Sequence, residues 1–130
     1  SYLLQSKENQ IYCYFEKIGE SIYGCDICQK SCPYNKMILS KISYRKRKKI
    51  NLTSRDFVKY SNRQFKMKFR RNAFAWRGKN ILLRNAILYC IAHNKKLFSS
   101  EEIALLKKQF QDEFFQEILK KYEIYFQKND

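Results

Sequence analysis

The 130-residue sequence contains few residues that break helices, since it has only three glycines and one proline. A shortage of breakers disfavours a turn-rich all-β fold and favours helices. No segment approaches the roughly 18 consecutive apolar residues that span a bilayer, and the chain does not open with a positive, apolar and small-residue signal sequence. We therefore expect a mainly α-helical, cytoplasmic protein without a membrane partner.

Acidic residues are almost absent between Lys36 and Arg84, where seventeen Lys or Arg accompany one acid, Asp56. This basic block has a formal charge of +16, whereas the rest of the chain has ten Lys or Arg and eleven acids. Such a one-sided field costs self-repulsion unless a polyanion compensates it. Aromatic residues lie among the cations, a combination typical of nucleic-acid-binding proteins. A solvated basic face is the alternative interpretation.

Three of the five cysteines form the motif Cys25-x2-Cys28-x3-Cys32, followed by Pro33. The spacing matches the end of the bacterial ferredoxin run C-x2-C-x2-C-x3-C-P, whose last cysteine ligates a second cluster. The first cysteine of that run is missing, because Ile22 stands in its place. The spacing therefore predicts two ligands for one [4Fe–4S] cluster and one ligand for another, so that both ligand sets are incomplete.

Zinc is the main competing metal, because a Cys-x2-Cys knuckle also occurs in zinc sites. Such a knuckle usually pairs with a second knuckle or with two histidines, and the only histidine, His93, is distant in sequence. Iron–sulfur is therefore favoured over zinc and over a metal-free site. Cys90 lies in an apolar stripe and is predicted to be buried, whereas Cys13 has no spacing partner.

The pattern of apolar residues divides the chain into zones. Residues around 11–18 are predicted to be helical, residues 21–35 to form a loop with the cysteines, and residues 36–53 to form a basic connector with RKRKK at 45–49. Residues 54–127 are predicted to be helical throughout.

Capping signals and apolar spacing locate individual helices in the last zone. The predicted helices are 54–68 with a cap at Thr53 or Ser54, about 79–93, one after the capping box of Ser99 and Glu102, and 111–126. Successive amphipathic helices with short connections favour antiparallel pairs and a HEAT-like stack, although no clean internal repeat establishes a solenoid.

The string IYGCDICQKSCPYN, residues 22–35, resembles the pattern I-Y-G-C-D-x-C-Q-x-x-C-P-W-N of the epoxyqueuosine reductase family. Only Tyr34 departs from it, where tryptophan is usual. Residues 69–94 are similar to a second family segment that contains an R-N pair, here Arg84 and Asn85. The opening SYLLQ is also similar to part of the family's C-I-S-Y-L-T stretch, so the resemblance extends over the chain to about residue 94.

The resemblance implies an enzyme that reduces epoxyqueuosine to queuosine at the wobble position of tRNA, with a cobalamin and two [4Fe–4S] clusters. A C-terminal helical-repeat region of the family helps to hold the anticodon stem-loop of tRNA. On that pattern Cys25 and Cys28 bind the cluster nearer the corrinoid, and Cys32 binds the more distant one. Asp26 and Ile27 are expected to lie close to the cobalamin.

The resemblance also places Arg77, Lys79 and Arg84 near the segment that faces tRNA. A helix that begins after Gly78 would present free N–H groups to a phosphate. The alternative for Arg84 and Asn85 is structural, since both side chains could pair with neighbouring helix ends.

On this interpretation the chain is the C-terminal portion of the enzyme. Residues 1–35 belong to a ferredoxin-like domain, 36–53 form the connector, and 54–130 form a HEAT-like tRNA-docking region. The family's cobalamin domain, first cysteine run and proton-donating acid lie elsewhere, so we expect the chain alone to be inactive and to need an N-terminal half in cis or in trans.

Two other functions are considered. One is a different ferredoxin-containing corrinoid reductase, similar to the reductive dehalogenases, but small substrates do not call for so basic a surface. The other is a non-catalytic basic RNA-binding fragment. The intact cysteine motif argues against it, because exposed thiols without a metal are prone to oxidation.

Overall fold

The computed structural model describes residues 2–19, 21–41 and 51–127. These residues are mainly helical and include no β-strand, which confirms the prediction of a mainly α-helical protein. The chain begins with the short helix α1 (Tyr2–Gln5) and a 3-10 helix (Asn9–Lys17). The basic run at 45–49 lies outside the described residues.

The second half of the cysteine segment is helical, so the prediction of a loop over residues 21–35 was wrong from residue 27 onwards. It forms α2 (Ile27–Ser31) and α3 (Pro33–Lys41), which pack against each other. Pro33 is compatible with a helix start, because the N–H that it lacks would have no intrahelical partner in the first turn.

The predicted single helix over residues 54–68 is in fact two helices, α4 (Ser54–Val58) and α5 (Asn62–Lys68). Ser61 starts α5 with a capping box. The N–H of Gln64 donates to Ser61 Oγ at 3.3 Å, and the N–H of Ser61 donates to Gln64 Oε1 at 2.9 Å. This Ser-x-x-Gln signal is present in the sequence and marks a new helix start that the apolar spacing hides.

The start of α4 agrees with the prediction, and Asp56 stabilises it. The Asp56 carboxylate accepts the Thr53 N–H at 2.9 Å and the Thr53 hydroxyl at 3.0 Å. Lys68, at the end of α5, donates to the same carboxylate at 2.5 Å. Burial raises the pKa of Asp56, but the hydrogen bonds from Lys68 and Thr53 outweigh it and bring the pKa below its usual value. The one acid of the basic block is thus neutralised by a lysine of the same block.

Helix α6 (Lys79–Ala92) is the central element and confirms the predicted helix over about 79–93. Every residue from Leu82 to Leu88 is buried, because α1, the first 3-10 helix, α5 and α8 all contact α6. A helix that is covered on all sides must satisfy the polar side chains that it buries.

The C-terminal part consists of α7 (Ser100–Gln109) and α8 (Glu113–Gln127), which pack against each other. The predicted capping box is present, with the Glu102 N–H donating to Ser99 Oγ at 3.2 Å. The order and contacts of these helices do not establish a HEAT-like stack, which therefore stays a prediction. No helix in the described ranges combines the length and the apolar character needed to cross a membrane.

Candidate functional site

The motif cysteines follow the course of α2. Cys25 lies just before the helix, Cys28 on its first turn and Cys32 at its C-terminal end. Cys25 and Cys32 are half-buried and Cys28 is exposed. Gly24 adopts a φ of 69°, in the left-handed region that favours glycine, and this lets the chain turn immediately before Cys25. The Asn35 side chain closes the corner after Cys32, because its amide donates to the Gln29 carbonyl at 3.1 Å.

A cavity of about 640 Å³ opens beside Cys25. Residues of α1, the first 3-10 helix and the loop before α2 form its walls. Asp26 and Ile27, the two residues predicted to lie near the cobalamin, line the same cavity, and the Ile27 side chain is 63% exposed. The structure therefore brings Cys25, Asp26 and Ile27 together, whereas Cys28 and Cys32 are not among the residues that line the cavity.

The described residues do not complete a metal site. Nowhere in the described ranges do three Cys, His, Asp or Glu side chains converge in a way that could hold a metal ion. Cys90 is buried as predicted, and burial raises the pKa of its thiol to about 11. The thiols of Cys25 and Cys28 have the right chemistry for a [4Fe–4S] cluster, which takes four thiolates. Cys25 and Cys28 therefore fit part of such a ligand set, and a cluster bound there would take further donors beyond the described residues.

Arg84, on α6, holds the segment that forms one wall of the cavity. Its Nη1 donates to the Glu8 carbonyl at 2.8 Å, and its Nη2 donates to the carbonyls of Ser6 and Leu3 at 3.0 and 3.3 Å. Burial lowers the pKa of Arg84 to about 10, so the guanidinium stays charged at neutral pH. Only 2% of this residue is exposed. Arg84 thus has the structural role that the sequence left open as an alternative to RNA binding.

Asn85, the next residue, connects α6 to α1 and to the loop before α2 at once. Its Nδ2 donates to the Leu4 carbonyl at 2.7 Å and to the Ile22 carbonyl at 2.8 Å. The residue is completely buried. Because Ile22 precedes Cys25 by three residues, Asn85 fixes the loop that presents the first motif cysteine.

Two further side chains hold this region through contacts that the sequence did not predict. His93 lies at the C-terminal end of α6, as predicted, and its Nε2–H donates to the Ile18 carbonyl at 2.8 Å. Trp76 donates its indole N–H to the Tyr23 hydroxyl at 2.8 Å. A tryptophan N–H usually finds a partner, but the sequence does not say which partner it is.

Lys79 is mostly buried, whereas contact with an RNA ligand would need an exposed side chain. Its Nζ donates to the Tyr60 carbonyl at 2.8 Å, and burial lowers its pKa. Its main-chain N–H donates to Asn62 Oδ1 at 2.8 Å, so the first N–H of α6 is already occupied. Gly78 makes this cap possible, because it has a φ of 86° and a Cβ there would lie 2.6 Å from Asn62 Oδ1.

Arg77 is half-buried and stacks on its neighbour, with its guanidinium carbon 3.9 Å from the centroid of the Trp76 ring. The more exposed cations are Lys66, Arg70 and Arg71, which line a cleft of about 620 Å³ together with Trp76. These exposed cations precede Arg77, Lys79 and Arg84 in the chain, and RNA binding by those three residues stays a prediction. The sequence signal for the exposed cations was the density of cations and aromatics in the basic block.

Comparison with known proteins identifies relatives of the chain, although no family model and no solved structure matches it. The epoxyqueuosine reductase of Lactococcus garvieae is 44% identical over 77 residues, which are 57% of this chain and 22% of that protein. That of Staphylococcus aureus is 36% identical over 105 residues, or 79% and 27%. That of Bacillus subtilis is 37% identical over 93 residues, or 69% and 24%.

The chain spans about a quarter of the length of these three relatives. Their similarity agrees with the resemblance carried by residues 22–35 and 69–94. The chain belongs to the epoxyqueuosine reductase family.

Proposed function

We propose that the chain is the C-terminal part of an iron–sulfur, cobalamin-dependent reductase that converts epoxyqueuosine to queuosine at the wobble position of tRNA. The observation that carries the proposal is the motif of residues 22–35 in a chain similar to curated epoxyqueuosine reductases. The rest of the enzyme, in cis or in trans, supplies the cobalamin domain and the remaining cluster ligands.

The role of the cysteines in this proposal is to complete two clusters. Cys25 and Cys28 ligate one [4Fe–4S] cluster, and Cys32 ligates the other. Such a cluster, when bound, carries single electrons. The half-buried or exposed position of all three cysteines supports this role, because ligands from another part of the enzyme can reach them.

The cavity beside Cys25 is the proposed contact site for the cobalamin. Asp26 and Ile27 would approach the corrinoid, which the rest of the enzyme holds. Ile27 supports this assignment, since a large apolar side chain that is exposed here would become covered by the apolar face of the corrin ring. The ferredoxin-like nature of residues 1–35 and the HEAT-like stacking of residues 54–130 are part of the same proposal.

The anticodon stem-loop of tRNA is the proposed partner of the basic block. Its exposed cations support this role, and Arg77 lies beside them. Lys79 and Arg84 are buried, so in this proposal they shape the helical body and the exposed cations contact the RNA. We expect the affinity for RNA to fall steeply with salt, because phosphate contacts release counterions.

A chimera tests the proposal. This chain replaces the matching segment of the Staphylococcus aureus reductase, and the chimera is produced in a strain that lacks its own reductase. We expect mass spectrometry of the tRNA nucleosides to show conversion of epoxyqueuosine to queuosine. Cys25→Ala, Cys28→Ala and Cys32→Ala should abolish conversion and lower the iron and sulfide content of the purified chimera.

Cys13→Ala is the matched control, since Cys13 is exposed but lies outside the motif. It should leave both conversion and iron content unchanged. An active chimera that keeps full activity with Cys25→Ala or Cys28→Ala would refute the ligand assignment. A chimera that binds iron at the wild-type level without forming queuosine would refute the proposed reaction.

The incomplete donor set favours one alternative, a metal-free RNA-binding fragment. A measurement of iron and acid-labile sulfide distinguishes the two functions. This chain is purified without oxygen, the matching N-terminal half is added, and the iron and sulfide content is then measured. An increase to stoichiometric iron supports the reductase, and iron-free protein that binds RNA in the presence of that half supports the alternative.

A further inference from the structure

A basic cleft lies beside the 3-10 helix Ala73–Arg77, and the proposed tRNA contact accounts for its charge but not for its shape or its aromatic ring. Its volume of about 620 Å³ is within the usual range of small-ligand pockets, about 300–1,000 Å³. The lining residues are Lys66, Arg70, Arg71, Asn72, Ala73, Ala75 and Trp76, with no acid among them. The cleft therefore joins three cations to one large aromatic ring.

The cations of the cleft are available to a ligand. Lys66, Arg70 and Arg71 are all exposed, and no carboxylate of the described residues forms an ion pair with them. Asp56, the one acid of the basic block, is already bound by Lys68. Three uncompensated positive charges around one cleft favour a ligand with phosphate groups.

Trp76 adds a second kind of recognition. Its indole N–H is held by the Tyr23 hydroxyl and its ring stacks with Arg77, so its position is fixed, yet 58% of the residue stays exposed. A fixed and exposed aromatic ring is suited to stack on a nucleobase. A base in a paired duplex is stacked on its neighbours, whereas an unpaired base can be splayed out onto such a ring.

We infer that this cleft binds one unpaired nucleotide of a nucleic-acid strand, with its base against Trp76 and its phosphates among Lys66, Arg70 and Arg71. The inference deepens the proposed function and rests on it for the identity of the strand, the anticodon loop of tRNA. Tyr23 also lines the cavity beside Cys25, so a nucleotide on Trp76 lies next to the proposed reaction site.

Trp76 is the only tryptophan of the chain, so its fluorescence reports directly on the cleft. The chain is titrated with an anticodon stem-loop RNA, with a fully paired RNA of equal length and with inorganic phosphate. We expect the stem-loop to quench the fluorescence in parallel with binding. The paired RNA and phosphate should leave it unchanged at the same concentrations.

The contribution of individual cleft residues to RNA binding is measured with variants, whose affinity for labelled stem-loop RNA is followed by fluorescence anisotropy. Trp76→Ala should weaken binding by about 5- to 150-fold, the usual effect of losing one base–aromatic stack. Trp76→Phe should recover part of that loss. The double variant Arg70→Gln/Arg71→Gln should weaken binding more than Lys108→Gln/Lys120→Gln, which removes the same charge from exposed positions on α7 and α8.

Three results would overturn the inference: binding of the stem-loop without quenching, equal quenching by the paired RNA, and equal weakening by the two double variants. Far-UV circular dichroism checks the fold of each variant, and the arginine pair is exposed, so its loss should not unfold the chain. In the chimera, wild-type queuosine formation with Arg70→Gln/Arg71→Gln combined with Trp76→Ala would refute the cleft but not the proposed function. Quenching by the stem-loop in an inactive chimera would refute the proposed function but not the cleft.

Discussion

Replacing Asn85 with alanine should destabilise the chain far more than the same change elsewhere on α6. The Asn85 amide is the donor to both the Leu4 and the Ile22 carbonyl, at 2.7 and 2.8 Å, and the residue is completely buried. Alanine leaves both carbonyl oxygens without this donor and leaves a gap where the amide was. The perturbation therefore acts on the joint between α6, α1 and the cysteine loop.

The expected magnitude follows from those two acceptors. A buried polar group that loses its partner costs about 1–3 kcal/mol, so two cost about 2–6 kcal/mol. The better helix propensity of alanine returns at most about 0.7 kcal/mol. The net loss of about 1–5 kcal/mol is a large share of the total stability of a small domain, about 5–15 kcal/mol.

Urea unfolding followed by circular dichroism at the helix bands measures this loss. With a slope of about 1–3 kcal/mol per molar urea, we expect Asn85→Ala to lower the midpoint by roughly 0.5 M or more. Asn80→Ala is the matched control, because Asn80 is exposed on the same helix and the substitution is identical. Equal midpoints for the two variants would refute the idea that Asn85 clamps the cysteine loop to α6.

Three other predictions concern stability and thiol reactivity. Gly78→Ala should cost about 2–4 kcal/mol in urea unfolding, because it combines a positive φ with a clash against Asn62, whereas Gly19→Ala meets no atom within 4 Å and should be nearly neutral. Cys90 should react with a thiol reagent at pH 8 only after unfolding, since it is buried and its pKa is raised to about 11. Reaction of Cys90 at the rate of the exposed thiols would contradict the packing of α6. Asp56 has a pKa below its usual 3.8, so its contribution to stability is complete at neutral pH and is lost as the pH falls below 3.8 towards the lower folded value. Asp56→Asn should therefore reduce the difference between urea midpoints at pH 7 and pH 3, and an unchanged difference would contradict the role of the carboxylate.

The correct sequence predictions concern features that depend on neighbouring residues. The helix at 79–93 and the capping box of Ser99 and Glu102 are encoded within a few residues of chain, so spacing and capping chemistry reveal them. The failures have local reasons too. The apolar spacing over residues 54–68 hid the cap at Ser61, and the cysteine motif within residues 21–35 predicted a loop where α2 and the start of α3 are found.

The sequence by itself determined the mainly helical class, the cysteine motif and the charge of the basic block, because composition and short-range spacing carry these properties. Only the tertiary structure decided which cations are free. Arg84 is bound by carbonyls more than 70 residues away in the chain, and Lys79 by a carbonyl 19 residues away, whereas Lys66, Arg70 and Arg71 remain on the surface. All five are basic residues of one block. Their positive charge does not reveal whether each one is bound by a distant main-chain oxygen or surrounded by solvent, because only the packing of the helices brings that oxygen into place.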